Sequence, residues 1–233
     1  MTEGRARPPR ILHPESVPVL GTDDHLPPVA PDRLTPPALR QRFAAAAGSP
    51  WEPEYLGDGR FIVDRSPAHA SVLVPLVTRE DGVRVLLTQR TAHLRDHAGQ
   101  ISFPGGRAEP TDLDVADTAL REAEEEVGLV RSAVEIIGQL PTYTTVTHFI
   151  VTPVVALVHP PFVLQVDPFE VAEAFEVPLQ FLMTPAHHRR HHVADPEGDR
   201  QFLSMPWEGR FIWGATAAML RNLYRFLAQP GPA

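Results

Sequence analysis

The chain has 233 residues, no cysteine, 26 prolines and a formal net charge of −8 with histidine neutral. The lack of cysteine excludes a disulfide framework, a thiolate metal site and a cysteine nucleophile, and the acidic balance argues against a nucleic-acid surface as the main function, since binding a phosphate backbone takes a basic stripe. A hydrophobic fraction of 43% can bury a sizeable core, no run approaches the ~20 apolar residues of a membrane span, and the start MTEGRARPPRILHPE lacks the apolar block of a secretory signal, so the expectation is a soluble cytoplasmic protein with no membrane partner.

Nine of the prolines lie in residues 1–40, where each removes a backbone donor and fixes φ. Residues 1–34 are expected to form a proline-rich extension, an extended or mobile arm without a core of its own, ahead of a single domain over 35–233. Thr35 as N-cap, with Pro36 at the first helical position, predicts a helix over 35–48 ending at Gly48. The domain core is expected from about residue 66. ASVLVPLV and VRVLLTQR are β-branched, apolar runs split by a Glu80-Asp81-Gly82 turn, which predicts a hairpin. Pro75 suggests an edge or a bulge in its first strand.

Residues 91–113 read as loop with a short strand at Ile101–Phe103, followed by a helix over Val115–Val127 closed by Gly128. VEIIGQLP and FIVTPVVALV are strand candidates, and DPFEVAEAFEVPLQFL reads as a short strand and helix. TPAHHRRHHVADPEGDR reads as a solvated polar loop, in which His187, His188, His191 and His192 are not metal ligands. QFLSMPW and RFIWG suggest a hairpin, and ATAAMLRNLYRFLA a closing amphipathic helix. Strands on both sides of a central helix indicate an α/β class, an α/β/α sandwich with a mixed sheet.

In DVADTALREAEEEVGL, Ala116, Leu120, Ala123 and Val127 form one apolar stripe, while Glu122, Glu125 and Glu126 project from another face at i, i+3 and i+4. On charge pattern alone, such a run is a solvated helix face. Like charges at this spacing are mildly unfavourable unless a cation sits among them, and a hard divalent ion with oxygen ligands is its natural occupant. Just upstream, Phe103-Pro104-Gly105-Gly106 puts two glycines where the backbone must turn sharply or let a ligand approach.

Read as one unit, Gly106 and Arg121-Glu122-Ala123-Glu124-Glu125-Glu126-Val127-Gly128-Leu129 resemble the Nudix box, whose second half is matched throughout. The first half departs from it. The gap from Gly106 to Arg121 is one residue too long, so the acidic position between them is either taken by Asp112, with an insertion behind it, or vacant. Leu86-Leu87-Thr88-Gln89-Arg90-Thr91, then Arg95, Gly99 and Phe103-Pro104-Gly105-Gly106, resemble the signature of the coenzyme A pyrophosphatase branch of Nudix hydrolases, with Thr91 in place of the usual Ser or Ala. Ile212-Trp213-Gly214-Ala215-Thr216-Ala217 also looks like that branch, and the resemblance runs from about residue 66 to 228.

The resemblance implies a Nudix-type sandwich and a hydrolase acting on a phosphoric anhydride. Its substrate would be a small molecule of coenzyme A type, cleaved to 4′-phosphopantetheine and adenosine 3′,5′-bisphosphate. It implies Mg²⁺ or Mn²⁺ as cofactor, held by Glu122, Glu125 and Glu126 with the Gly106 carbonyl. Arg121, four residues before Glu125, would aim a ligand carboxylate. Arg90, Arg95 and Gly105 would meet substrate, with one arginine reading the ribose 3′-phosphate. The general base is expected at Glu170, ahead of Glu173 and Asp112. The alternatives are a Nudix hydrolase of ADP-ribose or a dinucleoside polyphosphate, and a Nudix-fold module that binds a nucleotide without cleaving it.

Overall fold

The computed structural model describes residues 11, 13–46, 51–57, 67–93, 98–194 and 199–229. In chain order its elements are β1 (Val19–Thr22), α1 (Pro36–Ala46), β2 (Ala68–Arg79), β3 (Gly82–Arg90), β4 (Ile101–Ser102), β5 (Gly105–Arg107), α2 (Val115–Val127), β6 (Val134–Gln139), β7 (Tyr143–Thr144), β8 (Phe149–Val158), β9 (Val171–Pro178), α3 (Leu179–Leu182), β10 (Arg189–Val193), β11 (Arg200–Ser204) and α4 (Gly214–Ala228).

The β-branched runs form the centre. β2 and β3 make the expected hairpin around Gly82, and β8 lies parallel to β2 from Ala68 opposite Phe149 to Val77 opposite Val158. The main sheet runs β4-β3-β2-β8-β6, with β9 also on β3, β5 on β2 and β7 on β8. Since β2–β8 is parallel and the other pairs are antiparallel, the sheet is mixed. Successive side chains alternate between its faces. Leu73, Val77, Leu86, Val154 and Val158 pack under α2, while Leu76, Val85, Leu87, Val155 and Leu157 join α1 and α4 in a larger core on the other side. This is the α/β/α arrangement the pattern predicts.

β2 and β3 part beyond the Leu76–Val85 pair, and the chain from 101 to 107 is wedged into the opening, with β4 on β3 and β5 on β2. The wedge also explains Pro75, which sits in an interior strand rather than at an edge. Leu73 N–H donates toward the wedge, to the Pro104 carbonyl at 2.9 Å. Two residues on, the Pro75 nitrogen faces the same side, between the β5 pairing at 70–72 and the β3 pairing at 76–79, where no ladder bond is lost.

The N-terminal segment departs from expectation. Its described part is no free arm: β1 pairs with β10, and Val29 and Leu34 are buried in the larger core. The Pro27 carbonyl accepts from the Tyr224 hydroxyl at 2.8 Å, and Arg33 donates to the carbonyls of Ala228 and Gln229 at the end of α4. Prolines prevent this stretch from forming long regular structure, yet they leave its apolar side chains and carbonyls able to dock. The predicted helix runs Pro36–Ala46, with Thr35 Oγ1 donating to the Asp32 carbonyl at 3.1 Å; residues 47–50 lie outside the described residues.

The histidine-rich stretch is also corrected: Arg189–Val193 is the middle strand of a second sheet, β1-β10-β11, and His188 and His191 are buried. His188 Nε2 lies 2.7 Å from the Leu182 carbonyl and its Nδ1 3.0 Å from Arg221 Nη1, so the ring is neutral, donating through the first and accepting through the second. Burial foremost, with the Arg221 charge beside it, pulls its pKa down to about 4. No helix among the described residues is long and apolar enough to cross a membrane.

Deleting residues 1–34 is expected to destabilise the domain. Exposure of the Val29 and Leu34 pockets alone is worth about 3–6 kcal/mol, read as a fall in the urea midpoint. An unchanged midpoint would show that the segment does not contribute to the core.

Candidate active site

Both ends of α2 are set by sequence. Asp114 caps the start, its carboxylate accepting from the backbone N–H groups of Ala116 and Asp117. Gly128 ends the helix in the left-handed region at φ 67°, with N–H bonds from Gly128 to Glu124 and from Leu129 to Ala123. Ala119, Ala123 and Val127 are buried on the sheet, with Ala116 and Leu120 flanking them. That rotation separates the three glutamates. Glu126 is 5% exposed, the Glu122 side chain 17%, and the Glu125 side chain 60%.

Arg121 uses all five of its N–H donors. Nε and Nη2 fork onto the Asp112 carboxylate at 2.9 and 3.1 Å, Nη1 serves Glu122 at 2.9 Å and Glu125 at 3.0 Å, and Nη2 also reaches the Arg107 carbonyl at 3.1 Å. Asp112 accepts further bonds from the Glu109 N–H and the Thr118 hydroxyl. Arg121 above all, with these bonds, holds its carboxyl well below the usual carboxylate range. Asp112 is therefore an anchor for Arg121, and its oxygens are too fully engaged to act as a general base. Sequence reasoning had left Asp112 between an acidic box position and a vacancy.

The wedge brings Gly105 and Gly106 against this helix. Gly105 N–H donates to Glu126 Oε2 at 3.1 Å, and Arg90 Nη1 lies 3.5 Å from Glu126 Oε1. Gly105 has no room for a side chain against backbone, and a side chain on Gly106 would displace the Glu122 carboxylate. A Cβ on Gly105 would lie 2.4 Å from the Ser71 carbonyl oxygen, and one on Gly106 would lie 2.4 Å from Glu122 Oε2. Arg90, expected to meet substrate, thus lies beside a box carboxylate, whereas Arg95 lies outside the described residues.

Glu170 is held from two directions. Downstream of β8 the chain is stitched to the end of α2, with Gln165 N–H on the Val127 carbonyl and Asp167 N–H on the Glu126 carbonyl. At the end of β3, Thr91 donates its N–H to the Glu170 carbonyl at 3.0 Å and its hydroxyl to the Phe169 carbonyl at 2.9 Å. The charge of Glu170 is felt by both Glu122 and Glu126. Glu173, in contrast, is bound by the Arg210 guanidinium. Thr91 is the positioning residue that sequence reasoning missed: it registered only as a departure from a signature, although a buried hydroxyl beside an arginine at a strand end is a signal of backbone anchoring.

Burial pushes the Glu126 carboxyl up to about 7 against the opposing Gly105 bond and Arg90 charge, and burial likewise raises Glu122. Two desolvated carboxylates with too little positive charge are what a hard divalent cation would relieve, and carboxylate oxygens with a backbone carbonyl are its preferred donors. The residues therefore fit such an ion. Among the described residues no three His, Asp or Glu side chains are already gathered at ion-binding distance, and Glu122 and Glu125 are both bonded to Arg121.

Residues 67–196 match the NUDIX domain family model. The uncharacterized Nudix hydrolase NudL of Shigella flexneri serotype 5b (strain 8401) is 44% identical over 167 residues, covering 69% of this chain and 85% of that protein. Its namesake in Escherichia coli O1:K1 / APEC is 45% identical over 157 residues, covering 66% and 80%. Among solved structures, a Nudix hydrolase from M. smegmatis, RenU, aligns with a TM-score of 0.48 at 20% identity, over 71% of this chain and 88% of that one. The chain belongs to the Nudix hydrolase family, whose members cleave pyrophosphate bonds.

Arg121→Lys should leave Asp112 without its fork partner and release Glu122 and Glu125. A loss of about 1.5–3 kcal/mol in unfolding free energy is expected, together with a large fall in turnover. Stability and turnover both at wild-type levels would contradict the clamp.

Proposed function

We propose that the protein hydrolyses the pyrophosphate bond of coenzyme A, or of a derivative, to 4′-phosphopantetheine and adenosine 3′,5′-bisphosphate. The observation that carries this reading is that two described parts of the 21-residue stretch from Leu86 to Gly106, which resembles the coenzyme A pyrophosphatase signature, meet at Glu126. Arg90 from its first part and Gly105 from its last both contact that carboxylate. Thr91, within the same stretch, tethers the backbone of Glu170.

In this reading Glu122, Glu125 and Glu126, with the Gly106 carbonyl, hold Mg²⁺ or Mn²⁺. The bound ion supplies charge neutralisation at the phosphoryl oxygens and a lowered pKa for water. Arg90 places a guanidinium beside the buried carboxylate, where it offers N–H donors to a phosphate. Arg121 keeps Glu122 and Glu125 in fixed rotamers. Glu170 takes the proton of the attacking water; as oxygen adds to phosphorus, the bond from phosphorus to the bridging oxygen breaks and its electron pair leaves with the departing phosphate. Glu173 is spoken for by Arg210.

The test is incubation with coenzyme A, ADP-ribose and a dinucleoside polyphosphate, with Mg²⁺ and with excess chelator. Release of 4′-phosphopantetheine from coenzyme A, abolished by chelator, is the predicted result; selective cleavage of either other compound would replace the substrate. Within the same assay Glu170→Gln should lower turnover at least about 100-fold, while Glu173→Gln keeps most of it. The reverse order would overturn the assignment of the base.

A further inference from the structure

A cavity of about 590 Å³ lies beyond the catalytic strand end, within the size range of small-molecule sites. Pro14 of the N-terminal segment, Gln89 of β3, Ile101 of β4 and Arg210, Phe211 and Trp213 ahead of α4 line it. It adjoins the site through Gln89, which precedes Arg90 in β3, and lies toward the other face of the sheet, where Ile101 packs. The β3–β9 register shifts between Gln89 and Arg90, and across that irregularity Arg90 reaches Glu126 while Gln89 lines the cavity. Ile101 belongs to the core on that opposite side and lies four residues before Gly105.

The family match spans 67–196, which leaves Pro14, Arg210, Phe211 and Trp213 outside it. The wall is also held in place. Arg210 is bound by Glu173 and stacked 4.5 Å over the Phe175 ring, Phe211 packs on His191, and Trp213 meets Phe202 edge-on at 5.4 Å. Two fixed aromatic rings with an adjacent amide and a guanidinium suit a flat heteroaromatic ring, which gains from stacking and has polar edges to read. A flexible amide chain would gain little from the stacking surface.

We propose that this cavity binds the nucleobase of the substrate's nucleotide half, with Phe211 and Trp213 against its face and Gln89 and Arg210 at its edge. The proposal rests on the hydrolase reading and adds to it which half of the molecule this wall selects.

The test measures binding of AMP and of 4′-phosphopantetheine to the full chain by calorimetry, together with kcat and KM for coenzyme A, in wild type, Phe211→Leu and Gln89→Ala. Each substitution should weaken AMP at least about five-fold, raise KM more than it lowers kcat, and leave 4′-phosphopantetheine binding and the thermal midpoint unchanged. No AMP binding by wild type, equal AMP affinity in both variants, or a loss confined to 4′-phosphopantetheine would overturn the proposal. The two readings fail separately. If AMP binding is lost in the variants while wild type does not cleave coenzyme A, the cavity stands and the substrate falls. If both variants cleave coenzyme A with wild-type KM, the cavity assignment falls and the hydrolase stands.

Discussion

The burial of the Glu126 carboxylate where the end of β3 meets β5 organises the site. Desolvation disfavours its charged form, and the fold offsets this with one backbone N–H from Gly105 at the start of β5 and one guanidinium from Arg90 at the end of β3. Those two partners reach it only because β2 and β3 diverge and the Phe103–Gly106 segment fills the gap. The compensation remains incomplete, the condition under which a bound cation would be favoured there. A chain with net charge −8 can then handle a polyanionic substrate without a basic surface.

Arg121 performs the complementary task on the outer side of the same helix. Its fork onto Asp112 fixes the guanidinium, and the fixed guanidinium aims Glu122 and Glu125. Farther away, a buried polar network ties the ends of the chain together. Arg221 meets Asp23 at 3.0 Å and Glu54 at 2.7 Å, Arg190 meets Asp23 at 2.7 Å, and Asn222 exchanges hydrogen bonds with the backbone of Tyr55. Such a network specifies one arrangement, because any other leaves buried charges unpaired. It fixes α4 against the N-terminal segment, and with it the aromatic wall of the cavity.

The central elements were legible because period and punctuation agree with burial. β2, β3 and β8 follow β-branched runs, and α2 begins at Asp114 and ends at Gly128 as its caps demand. The second half of the box was legible through its resemblance to the family pattern, residue by residue from Arg121 to Leu129. The N-terminal segment was not, since Val29 and Leu34 sit among prolines with no period to reveal a partner nearly two hundred residues away. His188 and His191 read as solvated because their neighbours are charged, whereas Arg190 and Arg221 are themselves neutralised by Asp23 and Glu54. The part played by Asp112 could not be read either, because a fork onto an arginine nine residues away depends on how the intervening loop folds.

The most direct measurement is the binding of Mn²⁺ to the purified chain without substrate, followed by electron paramagnetic resonance, in wild type and in Glu126→Gln. If the desolvated carboxylate is the seat of the cation site, wild type binds the ion and the substitution, which keeps the shape and removes the charge, weakens it at least about ten-fold. Equal affinity in the two proteins, or no binding by wild type, would contradict the account.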